Sequence, residues 1–116
     1  MNISDLTPQE LAIDLLDRSV CKVRMAAVLS DNYGIFAWGW NSGYIHAEEM
    51  VLMRANPRRV PGSTITVAGQ RAKSGNWVYS FPCHKVQKNC LRMLVGRKVR
   101  RIVFLTKEGA FSESLV

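Results

Sequence analysis

Long apolar runs are missing from this chain. No stretch approaches the roughly 18 residues that a membrane span needs, so a membrane protein is not expected. The first residues, "MNISDLTPQE", hold no basic region followed by an apolar run. A secretory signal is therefore not expected, and a cytoplasmic protein is. Cysteine is scarce and odd in number: only Cys21, Cys83 and Cys90 occur. Three thiols without a signal argue against a disulfide framework and leave the thiols free for metal chemistry. There is no internal repeat, linker or low-complexity tract. The 116 residues predict one domain, spanning 1–116.

Acidic residues are the most informative scarcity. None occurs between positions 49 and 108. Residues 1–49 hold seven acidic and three basic side chains, whereas residues 50–116 hold two acidic and thirteen basic. The basic residues cluster, as in "RRVPG" and "GRKVRR". Such an imbalance points to an anionic partner, most often nucleic acid.

Residues 5–20 read as a helix. Thr7 is placed to cap it, Pro8 fills the first helical position, and Glu10 completes a capping box. Residues 21–30 and 34–42 read as strands joined by the turn "DNYG", which predicts an antiparallel hairpin. "HAEEMVLMRAN" reads as a second helix from 46 to 56, stopped by Pro57. "STITVAG" at 63–69 suits a central strand covered on both faces. Residues 70–81 form a polar excursion. "NCLRMLVG" at 89–96 reads as a third helix with Asn89 as its cap, and "RRIVFLT" at 100–106 as a fourth strand. No element is assigned to 107–116. The order α-β-β-α-β-α-β predicts a mixed sheet with helices on both faces.

Three side chains are candidates for a zinc site: His46, Cys83 and Cys90. Three protein ligands leave one position for water, the arrangement of a catalytic rather than a structural zinc. Glu48, two residues from His46, is the candidate general acid and base. His46 and Cys90 both stand at predicted helix starts, where the positive end of the helix favours a thiolate. Each signal is weak alone, because a lone histidine at a helix start is usually a cap and a lone cysteine usually core. The spacing imposes a condition. On one straight helix the Cα atoms of residues 83 and 90 would lie about 10.5 Å apart. Two sulfurs on one zinc lie within about 4 Å. "HKVQKN" must therefore loop out, with the helix beginning at Cys90.

His46-Ala47-Glu48 followed by Pro82-Cys83 and Cys90 resembles the zinc-dependent cytidine deaminase superfamily, which carries H-x-E on one helix and P-C-x-x-C at the start of the next. The resemblance covers most of the chain, from the first helix to "RRIVFL". It departs from the pattern in its six residues between the cysteines where two are usual. Riboflavin-pathway deaminases resemble it in carrying longer insertions there. "GWNSGYIHAE" is similar to the strand end before H-A-E in bacterial tRNA adenosine deaminases, which implies a nucleoside contact for Asn41. The resemblance implies a cytidine-deaminase-like three-layer α/β/α sandwich whose mixed sheet carries an N-terminal antiparallel hairpin. It implies Zn²⁺ on His46, Cys83 and Cys90, with Glu48 as proton shuttle. The backbone at Ala47 would help position the base, and Trp40, Tyr44, Trp77 and Tyr79 are expected near the pocket rim as stacking surfaces. For any one of these rings, plain packing is the commoner role. The chain is shorter than many members, which leaves one sheet edge open or covered by a partner subunit in a homo-oligomer. The activity implied is hydrolytic deamination of cytosine to uracil in single-stranded nucleic acid. Three alternatives stand beside it: deamination of free cytidine or deoxycytidine nucleotides, deamination of adenosine in RNA, and a non-catalytic zinc module that binds nucleic acid.

Overall fold

The computed structural model describes residues 5–86 and 88–116. Residues 1–4 of the expected signal-free N-terminus, and Gln87 of the expected loop, lie outside them. The first helix, α1 (Pro8–Leu15), begins on the capping box legible in the sequence. The Glu10 N–H donates to Thr7 Oγ1 and the Thr7 N–H donates to Glu10 Oε1, each at 3.1 Å. The helix is shorter than the predicted 5–20. Its end tightens into a 3-10 turn at Leu16–Arg18, closed by the Ser19 N–H on the Leu16 carbonyl. The tight turn keeps both Leu15 and Leu16 against the sheet.

Strands β1 (Val23–Asp31) and β2 (Gly34–Trp40) form the antiparallel hairpin. Its turn follows from Asp31, whose carboxylate accepts from the Tyr33 N–H at 2.9 Å, and from Gly34 at φ +111. The register slips by one residue between Leu29 and Ser30, leaving Phe36 as the extra residue of a bulge. Helix α2 (Ala47–Arg54) follows, then β3 (Thr64–Arg71), helix α3 (Cys90–Gly96) and β4 (Arg101–Leu105). β1 pairs antiparallel with β3, and β3 pairs parallel with β4.

The last ten residues, left unassigned above, contain a fifth strand, β5 (Phe111–Leu115), antiparallel to β4. A tight turn holds it, with the Thr106 N–H on the Ala110 carbonyl at 2.8 Å and Gly109 at φ +84. The sheet order is β2-β1-β3-β4-β5, so β2 and β5 are the edges. β5 covers β4 and becomes the edge on that side.

Two apolar clusters flank the sheet. One gathers Val51, Leu52, Val60, Ile65, Val67, Leu94 and Ile102 beneath α2 and α3. The other gathers Leu11, Leu15, Leu16, Val28, Ala68 and Leu105 beneath α1. Each fully buried Leu, Ile or Val stabilises the fold by about 1.5–3 kcal/mol. The result is the expected three-layer α/β/α arrangement with α1 on one face and α2 and α3 on the other. It brings the starts of α2 and α3 to the same end of the sheet, where β2 and β3 finish and β1 begins.

Candidate metal centre and its pocket

His46 is the N-cap of α2. Its backbone N–H donates to Glu49 Oε1 at 2.9 Å, which sets the turn and leaves the imidazole free to face the sheet end. Cys90 is the first residue of α3, where the Asn89 side chain accepts from the Arg92 N–H at 2.8 Å. Cys83 lies in the irregular segment before it, and its carbonyl accepts from the Leu91 N–H at 2.9 Å. The inter-cysteine segment loops out and the helix starts at Cys90, as the spacing requires.

The three side chains meet. His46 Nδ1 lies 3.2 Å from Cys90 Sγ and 3.7 Å from Cys83 Sγ. All three donor atoms fall within 4.8 Å of one another. A tetrahedral zinc with bonds of roughly 2.0 Å to nitrogen and 2.3 Å to sulfur gives ligand separations of about 3.5–3.8 Å. The donor set and its spacing fit such a cation. Burial, then Lys88, lower the His46 pKa against a smaller opposing pull from Glu49, with Lys85 adding a little more in the same direction as Lys88, which favours the neutral, ligating imidazole. Cys90 departs from the helix-start expectation. Burial, then Glu48 and Cys83, raise its thiol pKa far above the usual value. A seven-residue helix offers too little field to offset that burial, and a cation between the sulfurs reverses the balance.

Glu48 is only 4% exposed and lies in the first turn of α2. Burial, with a smaller push from Glu49, raises its pKa to about 7 against the hydrogen bond from its own backbone N–H. A carboxyl poised near neutrality suits proton transfer in both directions. It lines a pocket of about 340 Å³ together with His46, Ala47, Cys83, Asn41 and Tyr79. Val78, Phe81 and Met25 supply an apolar wall, and Lys85 stands at its mouth. Tyr79, Phe81 and Phe104 pack on one another, with Phe81 and Phe104 edge to face at 5.1 Å.

The other expected site residues divide. Asn41 lines the pocket, yet its side chain is already engaged. Its Oδ1 accepts from Ser19 Oγ at 2.6 Å and from the Met25 N–H at 2.9 Å, and its Nδ2 donates to the Val23 carbonyl at 2.7 Å. One amide proton remains for a ligand. Trp77, expected at the rim, packs instead with the α1-side cluster, and its ring underlies Gly109. Its placement follows from the Gln70–Trp77 bridge, which aligns the returning strand with β3 and turns the indole to the opposite face. Tyr44, also expected at the rim, is 95% exposed and outside the pocket lining, and its carbonyl accepts from Lys88 Nζ at 3.0 Å. Trp40 is held between the Arg18 and Arg54 guanidiniums, 5.4 and 4.8 Å from its ring centre.

Sequence reasoning missed the pair that closes the inter-cysteine loop. Lys88 Nζ donates to Glu49 Oε1 at 2.7 Å, and the Lys88 carbonyl lies 3.2 Å from Cys83 Sγ. Glu49 thus joins the His46 backbone to the residue beside Cys83. Its adjacency to H-x-E was the available signal.

No family model matches the sequence, and comparison with curated proteins finds no match. Among solved structures the chain is similar to "Acinetobacter baumannii RibD, form 2", with a TM-score of 0.59 and 20% identity over 81% of this chain. The match takes in 25% of that protein, so the chain spans about a quarter of its length. The likeness shows that this α/β fold, a mixed sheet between helices, is shared with that part of the protein. Among the described residues no helix is long and apolar enough to cross a membrane.

Proposed function

We propose that this protein is a zinc-dependent hydrolytic deaminase that converts the ring amine of a nucleobase to a carbonyl, with cytosine in single-stranded nucleic acid as the substrate. The observation that carries the reading is the His46, Cys83 and Cys90 cluster, whose His46 and Cys83 line the same pocket as a buried carboxyl, Glu48. A structural metal module needs no buried acid beside its ligands. A zinc ion held by these three residues supplies a Lewis acid that makes water acidic enough to react near neutrality.

Glu48 takes one proton from the attacking water and passes it to the adjacent ring nitrogen, then carries the second, from the new hydroxyl, to the departing amine. Water adds at the amine-bearing ring carbon, the carbon–nitrogen bond breaks, and ammonia leaves. Cytosine and water thus give uracil and ammonia, with no change in redox state. Tyr79 and Phe81 offer flat apolar faces to the base, and their burial of it excludes competing water. Asn41, with one free amide proton, and Ala47 line the same pocket, which supports their holding the nucleoside edge. Lys85 at the mouth and the basic residues 50–116 favour a phosphate-bearing strand over a bare nucleoside.

The test is ammonia release from cytosine and adenine nucleosides, nucleotides and single strands, by protein carrying one equivalent of zinc. Release is expected from a cytosine-bearing strand. Glu48→Ala is expected to keep fold and zinc while losing about 10²–10⁴-fold in rate. Release from nucleotides alone, or from adenine alone, would replace the substrate but keep the reaction. No release from any of them would leave a zinc-binding module and sink the reading.

A further inference from the structure

A second concavity, of about 540 Å³, lies at the opposite end of the sheet. Its walls come from three connections: the β1–β2 turn with Asp31 and Tyr33, the segment after α2 with Arg58 and Arg59, and the entry to β4 with Arg100 and Arg101. β1 spans the distance between the two ends, roughly 26 Å at about 3.3 Å per residue.

Four arginines line the concavity beside a single carboxylate, and two of them, Arg58 and Arg100, have no carboxylate partner among the described residues. That carboxylate is fully engaged. Arg59 Nε donates to Asp31 Oδ2 at 2.8 Å and Arg59 Nη2 to Oδ1 at 2.7 Å, with the guanidinium stacked 4.4 Å from the Phe36 ring centre. Among the described residues neither Arg58 nor Arg100 makes an ion pair, and Arg101 reaches Glu113 only at 3.9 Å. The walls are fixed by backbone bonds. The Gly62 N–H donates to the Lys98 carbonyl and the Arg100 N–H to the Ser63 carbonyl, each at 2.8 Å.

Like charges held in a concave surface raise the local potential and favour an anion. Guanidinium forks match phosphate oxygens. The cleft is too polar for an apolar ligand and too large for a lone inorganic ion. Tyr33, 92% exposed at its rim, presents a free aromatic face of the kind on which an unpaired base stacks.

We infer that this cleft is a second nucleic-acid contact, which binds the phosphodiester backbone of a single strand at the end of the sheet remote from the metal cluster, with Tyr33 stacking on a base. It uses none of the pocket residues, and it rests on the proposed function for its choice of a single strand as the ligand.

The probe is a labelled oligothymidylate of about twelve nucleotides. Thymine carries no ring amine, so binding is read without turnover. For the zinc-loaded protein, Arg58→Ala with Arg100→Ala is expected to weaken binding about tenfold and to reduce the slope of log affinity against log salt by about 1.4. Tyr33→Ala, which leaves the charge intact, is expected to weaken it about fivefold. Lys22→Ala with Lys107→Ala removes the same charge elsewhere and is expected to have a smaller effect. Equal loss in that control, or no loss in the arginine pair, would overturn the assignment. Competition by thymidine monophosphate as strong as by the oligomer would overturn the strand and leave a nucleotide site. A dead deaminase that still shows these binding changes would fail the proposed function alone.

Discussion

Asp31 and Arg59 form the best-shaped ion pair among the described residues, bidentate and with the carboxylate side chain 18% exposed. The Arg59 hydrogen bonds lower the Asp31 pKa, against a smaller upward push from burial. A carboxyl whose folded pKa is lowered adds stability that is complete above its unfolded value, about 3.9, and is lost as pH falls through the folded one. Asp31→Asn is therefore expected to be less stable than the parent at pH 7. Denaturant melts at falling pH should show the gap narrowing below about pH 4 and closing in stronger acid. A gap that persisted in strong acid would mean that the side chain acts through the turn it shapes rather than through its charge. Single residues were legible in the sequence where chemistry restricts the choice. His46, Cys83, Cys90 and Glu48 stood out because few residue types serve at a metal centre. Lys88 and Glu49 did not: Glu49 stands beside H-x-E, but nothing local marks a partner 39 positions away. Asn41 and Trp77 were legible as polar and aromatic, but which face each would meet is a property of the sheet.

The inter-cysteine segment is the element on which the metal centre turns. It must bring Cys83 back to the start of α3, and Lys88 ties it to α2 through Glu49 and the Tyr44 carbonyl. Groups that orient metal ligands typically change affinity about 10–100-fold when removed. Lys88→Met is expected to weaken zinc by that factor in competition with a chelator, and Lys88→Arg to recover part of it. Unchanged affinity in Lys88→Met would assign the closure to the Leu91 N–H on the Cys83 carbonyl instead. Among the other elements, α1 was legible from its capping box, the hairpin from "DNYG", and β3 from its apolar run. β5 escaped notice for a physical reason. An edge strand lies mostly in water, so Phe111–Leu115 carries no clean alternation of apolar and polar residues to announce it.

At the scale of the whole molecule, an ion held by His46, Cys83 and Cys90 would fasten α2, the loop and α3 to one end of the sheet. An ion that binds the folded chain and not the unfolded one stabilises by mass action. Free zinc at 100 times its Kd should add about 2.7 kcal/mol and raise Tm by roughly 10 °C, with chelation reversing the gain. Equal Tm with and without zinc would mean that the cluster binds no ion of consequence to the fold. The layered architecture and the acid-poor half were visible in the linear chain. The gathering of Arg58, Arg59, Arg100 and Arg101 opposite the cluster was not, since it depends on β3 and β4 running parallel. The same topology has a practical side. The Val116 N–H donates to the Arg100 carbonyl at 2.9 Å, so the last residue is moored beside the arginine cleft. Whatever is attached after Val116, a purification tag or a fused reporter, leaves the fold at that cleft's rim. An acidic attachment there would act as a tethered competitor for the arginines, at an effective concentration on the order of millimolar.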